Sequence, residues 1–236
     1  MPFADRSIIG NSKRLEILRN LLLLDTPAEE SFDRLTRLAS CIVNAPVSLV
    51  TLVDANRQFF KSAIGLPEPW ASKRETPLSH SFCQHVVATN EPLVIEDARK
   101  HPLVHDNLAI PDLNVIGYLG MPLQTSEGVG LGSFCIIDSA PRQWTEQEVE
   151  IMRDLAQSVI TEIELRSELI ARQRIEEELR LTYRDLDRSH RELRRVTEFA
   201  HSTLEHTIDA VRHGASDSEV LTYLQTAQAG LNRAVR

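Results

Sequence analysis

Three side chains able to carry chemistry fall within six positions in LSHSFCQHVV, residues 78–87: His80, Cys83 and His85. Four roles fit such a set: zinc ligation, a nucleophilic thiol, a covalent chromophore anchor, or the buried start of a helix. Ser81 and Gln84 have capping-box spacing, which predicts a short helix from Phe82 to Thr89 with Asn90 as a left-handed stop. On that helix Cys83 shares a face with Val86 and Val87, while His85 lies about 200° away at 100° per residue. One turn therefore does not offer Cys83 and His85 to the same ion. His80 and Cys83 alone fall short of the four ligands zinc prefers, so no metal site is expected. Cys83 reads as a small buried hydrophobe at a helix start, and a thiol there is also a redox candidate.

The elements that must position this segment belong to an α+β domain. SKRLEILRNLLLLD and PAEESFDRLTRLASCIVN have helical periodicity, with Leu15, Leu18 and Leu22 on one face and Phe32, Leu35, Leu38 and Ile42 on the other helix. PVSLVTLVD and QFFKSAIGL, joined by the turn ANR, read as strands, followed by EPLVIED, VIGYLGMPLQ and GVGLGSFCIIDS. Hairpin and meander spacing predicts an antiparallel sheet with helices on one side. The glycine-rich GVGLGS continues directly into a strand. A phosphate loop must open a helix, so the segment is expected to be a hairpin.

Beyond about residue 145 the sequence changes character. From Thr145 to His213 it contains no Pro and no Gly, and Thr145 with Glu148 has capping-box spacing. A helix of that length extends roughly 100 Å at 1.5 Å per residue, which needs a partner. With Leu165 as heptad position a, Arg172, Leu179, Leu186, Leu193 and Ala200 follow at a. Glu168, Ile175, Thr182, Ser189, Val196 and Thr203 fall at d. A seam of mostly leucine at a and mixed polarity at d predicts a weak parallel dimer, easily shifted in register. Gly214 then reads as a helix stop and Ser216 or Asp217 as a cap, so a second helix closes a hairpin. Two copies make a four-helix bundle.

Composition excludes several classes. The 236 residues carry 26 Lys+Arg against 34 Asp+Glu, a net charge of −8, with no basic stripe for nucleic acid. MPFADRSIIG has no signal-peptide pattern, and no apolar run approaches a membrane span. Cys41, Cys83 and Cys135 are odd in number and widely spaced, which is no disulfide framework. A cytoplasmic, reduced protein with no membrane insertion is expected.

In order, LDTPAEESFDRLTRLA, PVSLVTLVDANRQFFKSAIGL, SFCQHVV, NEPLVIEDARKHPLV, GYLGMPL and LGSFCIIDSAPRQWTEQEVEIMRDLA resemble a GAF domain, in particular the bacterial signalling subgroup. The resemblance implies a five- or six-stranded antiparallel sheet with helices behind it, a small-molecule pocket on the other face, and dimerisation through flanking helices. It departs from the cyclic-nucleotide members, which carry an Asn-Lys-Phe-Asp-Glu set, and from bilin-binding members, where a His usually follows the cysteine that here precedes Gln84. The active-site loop of the free methionine sulfoxide reductases also has no counterpart. The expected organisation is a tail (1–9), the GAF domain (10–160), a coiled-coil signalling helix (161–197) and a helical hairpin (198–236).

VTEFAHSTLEHTIDAV and its following helix resemble the dimerisation and phosphotransfer hairpin of sensor histidine kinases, with His201 as phosphoacceptor candidate. Ser202 stands where that family has an acidic residue, and His206 where it has proline. No ATP-binding domain is expected before Arg236. The expected function is a sensory module that passes its state through a dimeric coiled coil to an output, as the sensor part of a histidine kinase. Downstream partners of that kind are kinase, cyclase or phosphatase domains or a response regulator. Pocket candidates are Phe60, Ser62, His80, Ser81, Ile95, Asp97, Tyr118, Met121 and Phe134, with Tyr118 and Asp97 as polar handles. No cofactor is named by the sequence, and the small ligand is unknown. The rival readings are a dimerisation adaptor with a vestigial pocket and a thiol-based redox sensor or enzyme using Cys83, with Cys135 as the other candidate nucleophile.

Overall fold

Six antiparallel strands form one sheet, and its two faces are covered by different elements. The computed structural model describes residues 3–234. Before the sheet come α1 (Arg6–Ile9), α2 (Ser12–Asn20) and α3 (Glu30–Val43). Then follow β1 (Val47–Val53), β2 (Arg57–Ile64), α4 (Trp70–Lys73), β3 (Glu75–Pro77), α5 (Cys83–Thr89), β4 (Leu93–Ile95) and α6 (Ala109–Leu113). β5 (Gly117–Gln124), β6 (Gly130–Asp138), α7 (Glu146–Arg212) and α8 (Asp217–Ala234) complete the chain. The strand order is β3-β2-β1-β6-β5-β4. β6 runs straight through GLGS, as the absence of a helix start there predicts.

Two compact units, Met1–Leu169 and Ile170–Arg236, divide the chain within α7. In the first, one sheet face packs on α2, α3 and the start of α7. Phe32, Leu35 and Ala39 of α3 and Met152, Val159 and Ile163 of α7 meet Val50, Leu52, Phe59, Leu119, Met121 and Phe134 of the strands. Each fully buried side chain of this size contributes about 1.5–3 kcal/mol. The buried stripe of α3 is Phe32, Leu35, Ala39 and Val43, one step in every three or four residues. Leu38 and Ile42, expected on that stripe, lie to its side and are exposed. Leu22 is exposed too, because α2 ends at Asn20 and Leu22 takes a positive φ of 52°.

β2 carries a β-bulge. Val50 pairs with Ser62 and Thr51 with Phe60, leaving Lys61 as the extra residue. Lys61 and Ser62 consequently both point to the helix side. The Lys61 ammonium, with no exposed side-chain surface, bonds Thr26 Oγ1 at 2.6 Å and the Pro27 carbonyl at 3.0 Å and pairs with Glu29. Glu29 also pairs with Arg166 of α7. Ser62 Oγ lies 2.9 Å from Thr36 Oγ1 and donates to Asp33 Oδ1 at 2.5 Å.

α7 opens on the expected capping box: Thr145 N donates to Glu148 Oε2 at 2.8 Å and Glu148 N to Thr145 Oγ1 at 3.2 Å. In the second unit α7 stops at Gly214, whose φ of 79° suits a residue without Cβ. Ser216 and Glu219 cap α8 reciprocally, Ser216 N donating to Glu219 Oε2 at 2.9 Å. α8 lies back along α7 closely enough that a Cβ on Gly230 would sit 2.4 Å from the Phe199 ring. The hairpin of the sequence reading is present.

Candidate functional site

The other sheet face is covered only in part, by α5, α6 and the loops beside them, and a cavity of about 220 Å³ remains. Its floor comes from alternate strand positions: Val47 and Leu49 of β1, Gln58 and Phe60 of β2, Tyr118 of β5, Cys135 and Ile137 of β6. Phe82 and Cys83 of the α5 start, with Ala109, Leu113 and Val115, supply the walls. The lining contains no Asp, Glu, Lys or Arg.

The α5 start forms as its residues dictate. Gln84 N donates to Ser81 Oγ at 3.1 Å, one half of a capping box. The Gln84 side chain does not return the bond; it donates to the carbonyls of Leu78 and Ser81, both at 2.8 Å. Asn90, at φ 54°, ends the helix as expected. His80 borders the cavity, its Nε2 3.0 Å from Asp112 Oδ2, its Nδ1 3.0 Å from Ser79 Oγ, and its ring centroid 5.2 Å from that of Trp70. Gln58 is held by Ser81 Oγ at 2.6 Å and by Thr76 Oγ1 at 2.7 Å.

On the floor, sulfur and hydroxyl groups gather. Cys83 Sγ and Cys135 Sγ are 4.0 Å apart, and Tyr118 O–H donates to Cys83 Sγ at 3.4 Å and lies 3.3 Å from Ser133 Oγ. Gly120 makes that reach possible: a Cβ there would fall 2.3 Å from the Tyr118 hydroxyl. The hydrogen bond with Cys135 lowers the Cys83 thiol below its ordinary pKa, against the effect of burial. Burial pushes Cys135 and Tyr118 well above theirs. His85 is buried on the far side of α5, its Nε2 without a hydrogen-bond partner, and burial holds its pKa at about 4.

Of the expected pocket residues, Phe60, His80 and Tyr118 line the cavity, as does the redox candidate Cys83. Ser81 is buried behind it and acts through Gln58. The other five do not line it either. The bulge turns Ser62 to the helix side. Met121 and Phe134 pair across β5 and β6 in the opposite core, one pleat step out of phase with Tyr118. Ile95 packs beneath the loops, its carbonyl accepting from Trp144 Nε1 at 3.0 Å. Asp97 caps a surface turn and pairs with Arg99, which holds its carboxyl down at about 2. Gln58, Leu49 and Cys135 line the cavity without being among the expected pocket residues. The pairing of Tyr118 with Ile137 sets the parity of β6, and that parity selects Cys135 over Phe134. His201, on α7, is exposed, with Glu205 3.4 Å away.

The model of the GAF domain matches residues 27–163, more than half of the chain. The chain belongs to the GAF family. A cyclic di-GMP phosphodiesterase of Pseudomonas aeruginosa is 32% identical over 143 residues, which make up 60% of this chain and 24% of that protein. The chain thus spans about a quarter of that relative. Among solved structures, the GAF domain of an Acinetobacter phosphoenolpyruvate-protein phosphotransferase is 17% identical, with a TM-score of 0.48 over 65% of this chain and 93% of that one. A free methionine-R-sulfoxide reductase of Neisseria meningitidis, in complex with its substrate, is 16% identical, with a TM-score of 0.48 over 66% and 91%. The GAF region is of the kind used as a sensory domain in signalling proteins. Among the described residues no helix is long and apolar enough to cross a membrane.

Proposed function

We propose that this GAF chain is a sensor whose cavity takes a small, uncharged, mostly apolar ligand and whose α7 reports occupancy by pairing with α7 of a second copy. One observation carries the reading: the cavity and the start of α7 pack on opposite faces of the same sheet. At about 220 Å³ the cavity lies below the roughly 300–1,000 Å³ of drug-sized sites, so the ligand is small. With no Lys or Arg in the lining, and with Asp112 already facing the His80 ring, a phosphate or carboxylate would lose its hydration without a free counter-charge. The ligand acts through its different affinity for two sheet-to-helix arrangements.

Pairing is supported by Leu165, Ile175, Leu179, Leu186 and Leu193, each at least half exposed in the single chain. A stripe of that kind favours a helical partner over solvent. The output is a phosphate-chemistry unit. Exposed His201 on the α7–α8 hairpin favours a histidine kinase, and the Pseudomonas aeruginosa relative favours cyclic di-GMP turnover.

Native mass spectrometry, followed by denaturing spectra of the same sample, tests the sensor. The expected result is a dimer with extra mass that leaves on denaturation. A monomer overturns the pairing, and a dimer that takes up no neutral compound from a screen supports the adaptor reading instead. For the kinase branch, phosphate transfer between the chain and a receiver domain is expected to require His201, with His201→Gln as control.

A further inference from the structure

We propose that Cys83 and Cys135 are a reversible oxidation site in which a hydroperoxide entering the cavity converts the two thiols into a disulfide joining α5 to β6. Both cysteines line the cavity, and their sulfurs are already 4.0 Å apart across 52 positions of sequence. A disulfide has its sulfurs about 2.05 Å apart, so the pair must close by roughly 2 Å. The cavity has room for the oxidant, since a water occupies only about 30 Å³ of liquid. This site stands apart from the ligand reading, because it needs only the cavity and the two sulfurs.

The surroundings assign different roles to the two thiols. Cys83 has the Tyr118 hydroxyl as a donor and Cys135 at its other side, and these hydrogen bonds favour its thiolate. Cys135 lies within β6, whereas the Tyr118 hydroxyl donates to Cys83, so Cys135 is the resolving thiol. The Cys83 thiolate attacks one peroxide oxygen, the O–O bond breaks, and the departing alkoxide takes up the proton that Cys83 gave up, leaving a sulfenic acid and an alcohol. Cys135 sulfur then attacks the sulfenic sulfur, the S–O bond breaks, and water leaves with the Cys135 proton. Two thiols lose two electrons to one peroxide. Any thiol reductant reverses the change by exchange. Because Tyr118 spans the same floor, closing the disulfide alters its hydroxyl's acceptor and the shape of the cavity.

Cys41 is exposed on α3 and would react with peroxide on its own account, so the full chain is tested as Cys41→Ser. Graded hydrogen peroxide is added, the protein is denatured with N-ethylmaleimide present, and the thiols are counted by mass. The expected result is that both remaining thiols disappear together with the loss of two hydrogen atoms. A cross-linked peptide pair containing residues 83 and 135 appears, and dithiothreitol restores both thiols. Adding Cys135→Ala should allow dimedone to trap a sulfenic acid at residue 83. Adding Cys83→Ala should slow reaction at residue 135 by about tenfold or more. Two thiols still alkylated at peroxide levels that fully oxidise Cys41 in the unsubstituted chain overturn the proposal. Cys83 oxidised to sulfinic acid with no cross-link does so too. The cross-link readout needs neither cavity variant, so a misfolded variant does not protect the idea.

Discussion

The two faces of the sheet are built from the same strands and are put to opposite use. Toward α2, α3 and α7, Met121 and Phe134 pair at the centre and are enclosed by Phe32, Leu35 and Met152. Toward α5 and α6, the neighbouring positions Tyr118 and Cys135 border open space and bring sulfur and hydroxyl groups together. The first face supplies cohesion. The second gives up packing, at most roughly 5 kcal/mol for a void of about 220 Å³ at about 24 cal/mol per Å³. Neighbouring positions on one strand can therefore serve stability and recognition separately.

Five substitutions test that division and the packing around it. The largest loss is expected from Phe134→Ala, about 3–5 kcal/mol by urea denaturation, because the filled face cannot collapse around the gap. If the loss were under about 1 kcal/mol, the two faces would not differ as described. Next, Glu29→Gln removes the carboxylate beside the buried Lys61 ammonium while Thr26 and Pro27 stay bonded to it. Burial already lowers the Lys61 pKa, and a loss of roughly 2–3 kcal/mol is expected in the same assay.

A matched pair sharpens the contrast further. Ala39→Leu forces volume into the filled core and should lose about 1–3 kcal/mol. Ala109→Leu places the same atoms in the cavity, with a change under about 1 kcal/mol and loss of ligand uptake in native mass spectra. Equal effects would erase the distinction. A separate test concerns pH. Burial, aided by His101, holds folded His85 at about 4 against an ordinary value of 6.5. Between those values the unfolded chain binds a proton that the folded chain refuses, so stability falls as pH drops from about 6.5 to 4 and then levels off. His85→Leu should flatten that part of a melting-temperature profile.

The sequence made the strands, the α5 start, the α7 capping box and the α7–α8 hairpin legible because each has a local signature: alternation, a serine or threonine three residues before Gln or Glu, a glycine at a stop. The site was legible only in part. Tyr118, His80 and Phe60, expected from their segments, border the cavity together with the redox candidate Cys83, whereas Met121 and Phe134 face the opposite core. Choosing a face requires the cross-strand register, and register is a long-range property: Tyr118 opposes Ile137, nineteen positions away. β3 and α6 span three and five residues, too short for periodicity to show. Asp97 looked like a buried handle because its strand was read to its end, whereas β4 stops at Ile95.

The bulge in β2 has a consequence for how this strand tolerates change in length. Phe60 faces the cavity, Lys61 and Ser62 face the helices, and Ala63 faces the cavity side again. Removing Lys61 would leave Phe60, Ser62 and Ala63 in simple alternation, each on the face it already occupies. The residue that carries the buried ammonium is thus the one residue of β2 that is additional to the pleat. A one-codon deletion would remove the charge that meets Glu29, and through it Arg166 of α7, while the cavity wall kept its order. The tie to the helix is separable from the wall of the cavity, and the gain or loss of a single residue is enough to change one without rewriting the other.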